Sequence, residues 1–215
     1  MENEHKTDTK SRILCAARAI FAEHGPTNAR VRDICERAKA NVAAVNYHFG
    51  NKERLYVAVL QCYLLKKMEL HPHDAGITPA SPPQERLRVF IRSLLAQFLS
   101  DEDAVSERLG RLLSQEFIEP SSEYSVALLE QHVLPPHTLL VGILHSMLPR
   151  ADDREVARCA LNIVGQCLHS GLAPKALRFL APELALDPGN LDAVASFILE
   201  FSLGGIARLN ARQPA

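Results

Sequence analysis

The stretch Arg30–Lys52, RVRDICERAKANVAAVNYHFGNK, decides how the chain folds. Val31, Ile34, Cys35 and Ala38 recur at i, i+3, i+4 and i+7, the spacing of one buried helix face. Lys39-Ala40-Asn41 interrupts that helix, and Asn41 is an N-cap residue type, because its side-chain oxygen can take an orphan backbone N–H. A second short helix follows. Its expected inner face is Val42, Val45 and Phe49, and its outer face is Ala43, Ala44, Asn46, Tyr47 and His48. Small side chains flanked by hydrogen-bonding ones allow a helix to approach a large polar partner closely, as a helix seated in a DNA major groove must.

Working outward, Ile13, Ala16, Ala17, Ile20 and Phe21 form the stripe of a helix over about 9–24, which Gly25-Pro26 ends. Gly50 closes the short helix, and Asn51 caps another running to about His71. The segment 71–83, HPHDAGITPASPP, breaks the helical pattern and reads as a connector. Beyond it, Leu87, Phe90, Ile91, Leu94, Leu95, Phe98 and Leu99 keep a 3.6-residue period over 84–99. Helices are expected over 106–118, over a segment that Pro135-Pro136 kinks or breaks, over 152–170, and over 191–209. The helix over 152–170 carries the stripe Val156, Cys159, Ala160, Ile163, Val164, Cys167, Leu168 and Gly171. No alternating strand pattern or repeat occurs. The expectation is an all-α chain of about nine to ten helices, with a three-helix helix-turn-helix head (1–70), a connector (71–83) and a larger helical body (84–215).

The residues ILCAARAIFAEHG, VRDICERA and VNYHFGNKERLYVAVL, spread over about 11–65, resemble the DNA-binding domain of the TetR family of bacterial transcriptional regulators. The form ANVAAVNYHFGNKE and the Pro-rich connectors resemble its CecR-like branch. The resemblance implies a repressor that a small-molecule effector releases from a double-stranded, palindromic DNA operator. It also implies a homodimer formed through the last two long helices. Tyr47 and His48 stand where the family places phosphate contacts, and Lys52, Thr27 and Arg30 are further phosphate candidates. Base reading falls to Asn46 and to the methyl groups of Ala43 and Ala44, with Val42 at the start of the same helix. Two departures stand out. Lys39 occupies a turn position where glycine is usual, and Val42-Ala43-Ala44 replaces more polar residues, which leaves room for shape readout. An all-helical protein-interaction module is the alternative.

Composition agrees with a globular helical protein. Of 215 residues 47% are hydrophobic and tryptophan is absent. No apolar run is long enough to span a membrane, and the polar start MENEHKTDTKSR is not a secretion signal, so a cytoplasmic location is expected. Charge is asymmetric within a net −1. Residues 1–70 carry 12 Lys/Arg against 8 Asp/Glu, and the remainder carries 12 against 17. A basic head suits a phosphate partner without proving one.

Other chemistry has weaker support. Polar residues interrupting apolar helices are the candidate effector lining: Asn162, Gln166 and His169 in one stripe, with Arg92, Gln115, Glu116, His132, His137 and His145 elsewhere. A polar stripe is more often a solvated face. Four of the five cysteines fall in apolar stripes and are expected as buried free thiols, with redox sensing at Cys159 or Cys167 as the alternative. Only His71 and His73 are close together, so no metal is expected. No nucleophile elbow, phosphate loop or nucleotide fingerprint occurs, and no catalytic residue or cofactor is expected. Small residues Ala160, Gly165, Ala193 and Ala195 mark the last two long helices for close packing across a two-fold axis.

Overall fold

The computed structural model describes residues 2–99, 103–172 and 174–212. Among them are eleven α-helices and one 3-10 turn, and no strand. In chain order they are α1 Glu2–Asn28, α2 Val31–Ala38, α3 Val42–Phe49, α4 Lys52–Leu70, α5 Pro83–Leu99, α6 Ala104–Ile118, α7 Glu123–His132, α8 Leu134–Met147, α9 Asp153–Leu172, α10 Pro174–Leu180 and α11 Leu191–Asn210. The ten expected with a break at Pro135-Pro136 become eleven with one further helix. The chain breaks at Val133, so that Pro135-Pro136 occupies the first turn of α8, where a missing N–H costs nothing. The further helix is α10, which with the 3-10 turn Pro182–Leu184 lies where no helix was expected.

Two compact units emerge. The first comprises 1–66 with 101–132, and the second 67–100 with 133–215. Segment 101–132, assigned from sequence to the body, thus packs with the head. In the first unit α1 packs against α2, α3 and α6. All five residues of its expected stripe are buried, as are Ile34, Cys35, Ala38, Val45 and Phe49. Gly25 takes φ 73, ψ 169 inside α1 and marks where its regular geometry ends, as Gly-Pro there requires. Asp103 caps α6 by accepting from the Ser106 N–H at 2.6 Å, and Arg18 of α1 donates to Asp103 at 3.2 Å and to Ser106 at 2.7 Å.

In the second unit α5 packs against α8, α9 and α11. Leu87, Phe90, Ile91 and Leu95 meet Leu140, Ile143, Leu144, Val156, Ala160, Ile163, Cys167, Ile198 and Leu199 in one core. The stripes expected over 84–99 and 152–170 contain all of those from α5 and α9. Ala160 and Ala195, expected at a two-fold interface, are instead buried in this core, while Gly165 and Ala193 are exposed.

Candidate nucleic-acid interface

The helix-turn-helix is held from both ends. Lys39 closes α2 in the left-handed region at φ 49, ψ 48, and its N–H turns back to the Cys35 and Glu36 carbonyls. The turn therefore keeps the glycine-type geometry although its residue is lysine. Asn41 caps α3 by accepting from the Ala44 N–H at 2.8 Å. Gly50, at φ 84, ends α3, and Asn51 caps α4 by accepting from the Arg54 N–H at 2.8 Å. Val45 and Phe49 fix α3 from behind.

The side of α3 away from that anchor is open. Val42, Ala43, Asn46 and Tyr47 are exposed, with Tyr47 at 71%, while Ala44 and His48 are half-buried. Val42 was grouped with the inner face but is solvent-facing. It is the first residue past the cap, and the buried side of this two-turn helix begins only at Val45. The Tyr47 and His48 rings meet edge to face at 5.0 Å between centroids. Thr27 and Arg30 are exposed on the corner between α1 and α2. Lys52 behaves differently from its expected role, because its Nζ donates to the Thr27 and Ala29 carbonyls, each at 3.2 Å. None of the nine proposed DNA contacts is buried.

The expected effector residues are divided between the two units. Gln115, Glu116 and His132 belong to the first unit. Glu116 is a buried carboxylate that accepts from the Ser121 N–H at 2.8 Å and the Ser121 hydroxyl at 2.9 Å, and it also bonds the buried Tyr56 hydroxyl. Burial and then the Glu116 charge raise the Tyr56 phenol above its ordinary range. His132 Nε2 lies 2.9 Å from Gln61 Nε2. In the second unit Arg92 is ion-paired with Asp192 at 2.6 Å on the surface, and His145 lies 3.5 Å from Asp153. His137 is half-buried. Asn162 and His169 are exposed on α9, and Asn162 and Gln166 each donate back to a carbonyl one turn earlier. Sequence periodicity shows which residues share a face, and says nothing of whether that face meets a cavity or water.

The thiols also differ from expectation. Cys35 and Cys167 are buried and Cys159 is partly so, but Cys15 and Cys62 are exposed. Burial pushes the Cys167 thiol up to about 12, and burial followed by the Glu155 charge raises Cys159. Both shifts run against the thiolate character that a redox sensor needs. No group of three or more His, Cys, Asp or Glu that could hold a metal ion occurs among the described residues. No described helix is long and apolar enough to cross a membrane.

The residues that sequence reasoning missed lie on α9 and α11. Leu161, Phe197 and Phe201 are 65%, 69% and 68% exposed. Phe197 and Phe201 stack with centroids 6.5 Å apart. Their spacing is out of phase with the inward stripe Ala195, Ile198, Leu199, Ser202 and Ile206, and that offset was readable.

A capped two-turn helix with an open polar and methyl face, set after a tight left-handed turn, defines a helix-turn-helix protein. The family model for bacterial regulatory proteins of the tetR family matches residues 13–59, which contain the whole motif. The model for the C-terminal domain of the HTH-type transcriptional dual regulator CecR matches residues 83–206, more than half of the chain. The chain belongs to the TetR family of bacterial regulatory proteins, in its CecR-like branch.

Its relatives are named as regulators, not enzymes. It is 30% identical over 149 residues to the HTH-type transcriptional dual regulator CecR of Shigella flexneri, covering 66% of this chain and 61% of that protein. It is 44% identical over 94 residues to the HTH-type transcriptional repressor Rv3405c of Mycobacterium tuberculosis strain H37Rv, covering 42% of this chain and 48% of that one. The matches thus span less than two thirds of these relatives' lengths. Among solved structures, the regulator FadR from Bacillus subtilis in complex with stearoyl-CoA matches with a TM-score of 0.64 at 17% identity, covering 91% of this chain and 98% of that one. At that identity the likeness is one of fold.

Proposed function

We propose that the protein is a dimeric transcriptional repressor that binds a palindromic DNA operator through α3 and is released by a small-molecule effector. The observation that carries this reading is the exposed face of α3, fixed from behind by Val45 and Phe49 and capped at both ends. Asn46 is the base-reading residue, because its amide matches the donor and acceptor pair of adenine, and Val42, Ala43 and Ala44 meet thymine methyls. Tyr47, His48, Thr27 and Arg30 contact phosphates, which sets register without sequence preference.

Two copies are needed, since one such motif touches too few base pairs, and paired half-sites lie about 34–36 Å apart or a multiple. The exposed faces of α9 and α11 are the surfaces on which a second copy docks. Each combines large apolar side chains with small residues, Leu161 with Gly165 and Phe197 and Phe201 with Gly204. The effector binds in the helical body, and it shifts the population toward the arrangement that it binds more tightly. FadR, a protein of similar fold, holds stearoyl-CoA, which supports an effector in such a body.

The deciding experiment is an electrophoretic shift with the promoter fragments flanking the gene, run across a salt series. Tyr47→Ala weakens binding on every duplex and lowers the salt slope by roughly one, whereas Asn46→Ala changes which fragments are preferred. Wild-type-like binding by both variants sinks the assignment of α3.

A further inference from the structure

Lys52 begins α4 immediately after the α3–α4 corner, and it reaches back to a different corner of the head. Its ammonium carries three donors. Two of them are placed on the carbonyl oxygens of Thr27 and Ala29, each at 3.2 Å. Bonds from a charged donor are stronger than neutral ones. The same corner is closed by the Ala29 N–H donating to the Gly25 carbonyl at 3.1 Å, with Gly25 in positive φ and Ala29 buried. Arg30 then enters α2 in extended conformation, with no side-chain capping bond.

We propose that Lys52 is a positioning residue, a strut that fixes the α1–α2 corner relative to the end of α3. Thr27 and Arg30 stand on the first corner. Tyr47 and His48 stand just before the second, from which Lys52 springs. A rigid link between them holds two sets of phosphate-contacting groups at one separation, so that both meet the backbone together. Without the strut, ordering the first corner is left to the binding step, at a cost to affinity. The proposal rests on the DNA-binding reading, and departs from it in giving Lys52 work inside the protein rather than on phosphate.

The test uses the full-length chain. Lys52→Met keeps the aliphatic stem and deletes the donors, and Lys52→Arg restores them. Amide hydrogen exchange is followed at Ala29 without DNA, with Phe21 and Leu60 as core controls. Affinity for a mixed-sequence duplex is measured across a salt series, in the wild-type background and with Thr27→Val and Arg30→Ala together.

A strut predicts roughly tenfold faster exchange at Ala29 in Lys52→Met with the controls unchanged, and recovery in Lys52→Arg. It also predicts roughly tenfold weaker DNA binding that shrinks below about twofold once Thr27 and Arg30 are already replaced. Unchanged exchange at Ala29 overturns the proposal. So does a loss of affinity that persists in full in the Thr27 and Arg30 background, because Lys52 would then act on DNA by itself. Should the wild type bind no duplex at all, the DNA-binding reading fails, and the exchange result alone decides whether Lys52 holds the corner.

Discussion

Lys39 sits at φ 49, ψ 48, in a conformation that costs an L-residue with a side chain roughly 1–2 kcal/mol. It is the single non-glycine residue with positive φ among those described. Glycine there removes the steric cost but adds freedom to the unfolded chain, so Lys39→Gly should gain up to about 1 kcal/mol. A rise in the denaturant midpoint at constant slope is the expected reading. The converse case is Gly171, where an added Cβ would lie 2.2 Å from Cγ of Phe98 on α5. Because that atom is the root of a ring and not a flexible tip, Gly171→Ala should cost about 1–3 kcal/mol by displacing Phe98. Thermal denaturation distinguishes this from a neutral change. The Lys39 departure was visible in the sequence, since a turn between two capped helices demands a left-handed residue. Gly171 was legible as the end of an inward stripe, but its partner was not, because nothing local names the distant ring that presses on it. Lys52 is similar: its acceptors lie more than twenty residues away, and its charge alone suggested phosphate.

Among the elements, the connector 71–83 is more ordered than its Pro-rich composition implies. His73 is buried at 9% exposure and stacks on Phe90 of α5 with ring centroids 4.8 Å apart. Gln97 Nε2 bridges the His71 carbonyl at 3.0 Å and His73 Nε2 at 3.2 Å. With the amide donating to Nε2, the proton of neutral His73 sits on Nδ1, which has no hydrogen-bond partner among the described residues. Burial lowers the His73 pKa to about 4, with the Asp74 charge opposing. Between that value and the 6.5 of an ordinary histidine the unfolded chain binds the proton and the folded one does not. Stability is therefore full above about pH 6.5 and falls as pH drops toward 4, by up to about 3 kcal/mol. His73→Phe keeps the stack and should flatten the stability profile between pH 7 and 5 in denaturant titrations. An unchanged slope would assign the acid sensitivity to other groups. Inner faces were legible in α1, α2, α5 and α9, because burial imposes the 3.6-residue period, whereas two-turn α3 misled at Val42. Outer faces were not, since Asn162 and His169 look alike in sequence whether they line a cavity or meet water. A short histidine-bearing loop gave no sign that one ring would be stacked against a helix.

For the molecule as a whole, the question is what covers the outer faces of α9 and α11. Phe197 and Phe201 lie on a helix whose other side is fully committed to the core of the second unit. Their exposure therefore does not relieve any packing conflict within one chain. A two-fold interface uses each residue twice, so a substitution at Phe197 is felt in both copies. A buried aromatic at the centre of an interface typically contributes about 2 kcal/mol or more. Placing a carboxylate there should thus weaken self-association by about 4 kcal/mol, roughly a thousandfold. On the proposed dimer, Phe197→Glu is expected to sediment as a monomer at concentrations where the wild type sediments as two copies. Its helicity and unfolding should otherwise be retained, because the side chain is already outside the monomer core. Binding to paired half-sites should fall with dimerisation, while the weak, salt-sensitive attraction of each head for any duplex persists. The surface control is Glu130→Ala, at an exposed position of α7, which should leave the sedimentation profile unchanged. A Phe197→Glu protein that remains dimeric and keeps its preference for paired half-sites would mean that another surface joins the two copies.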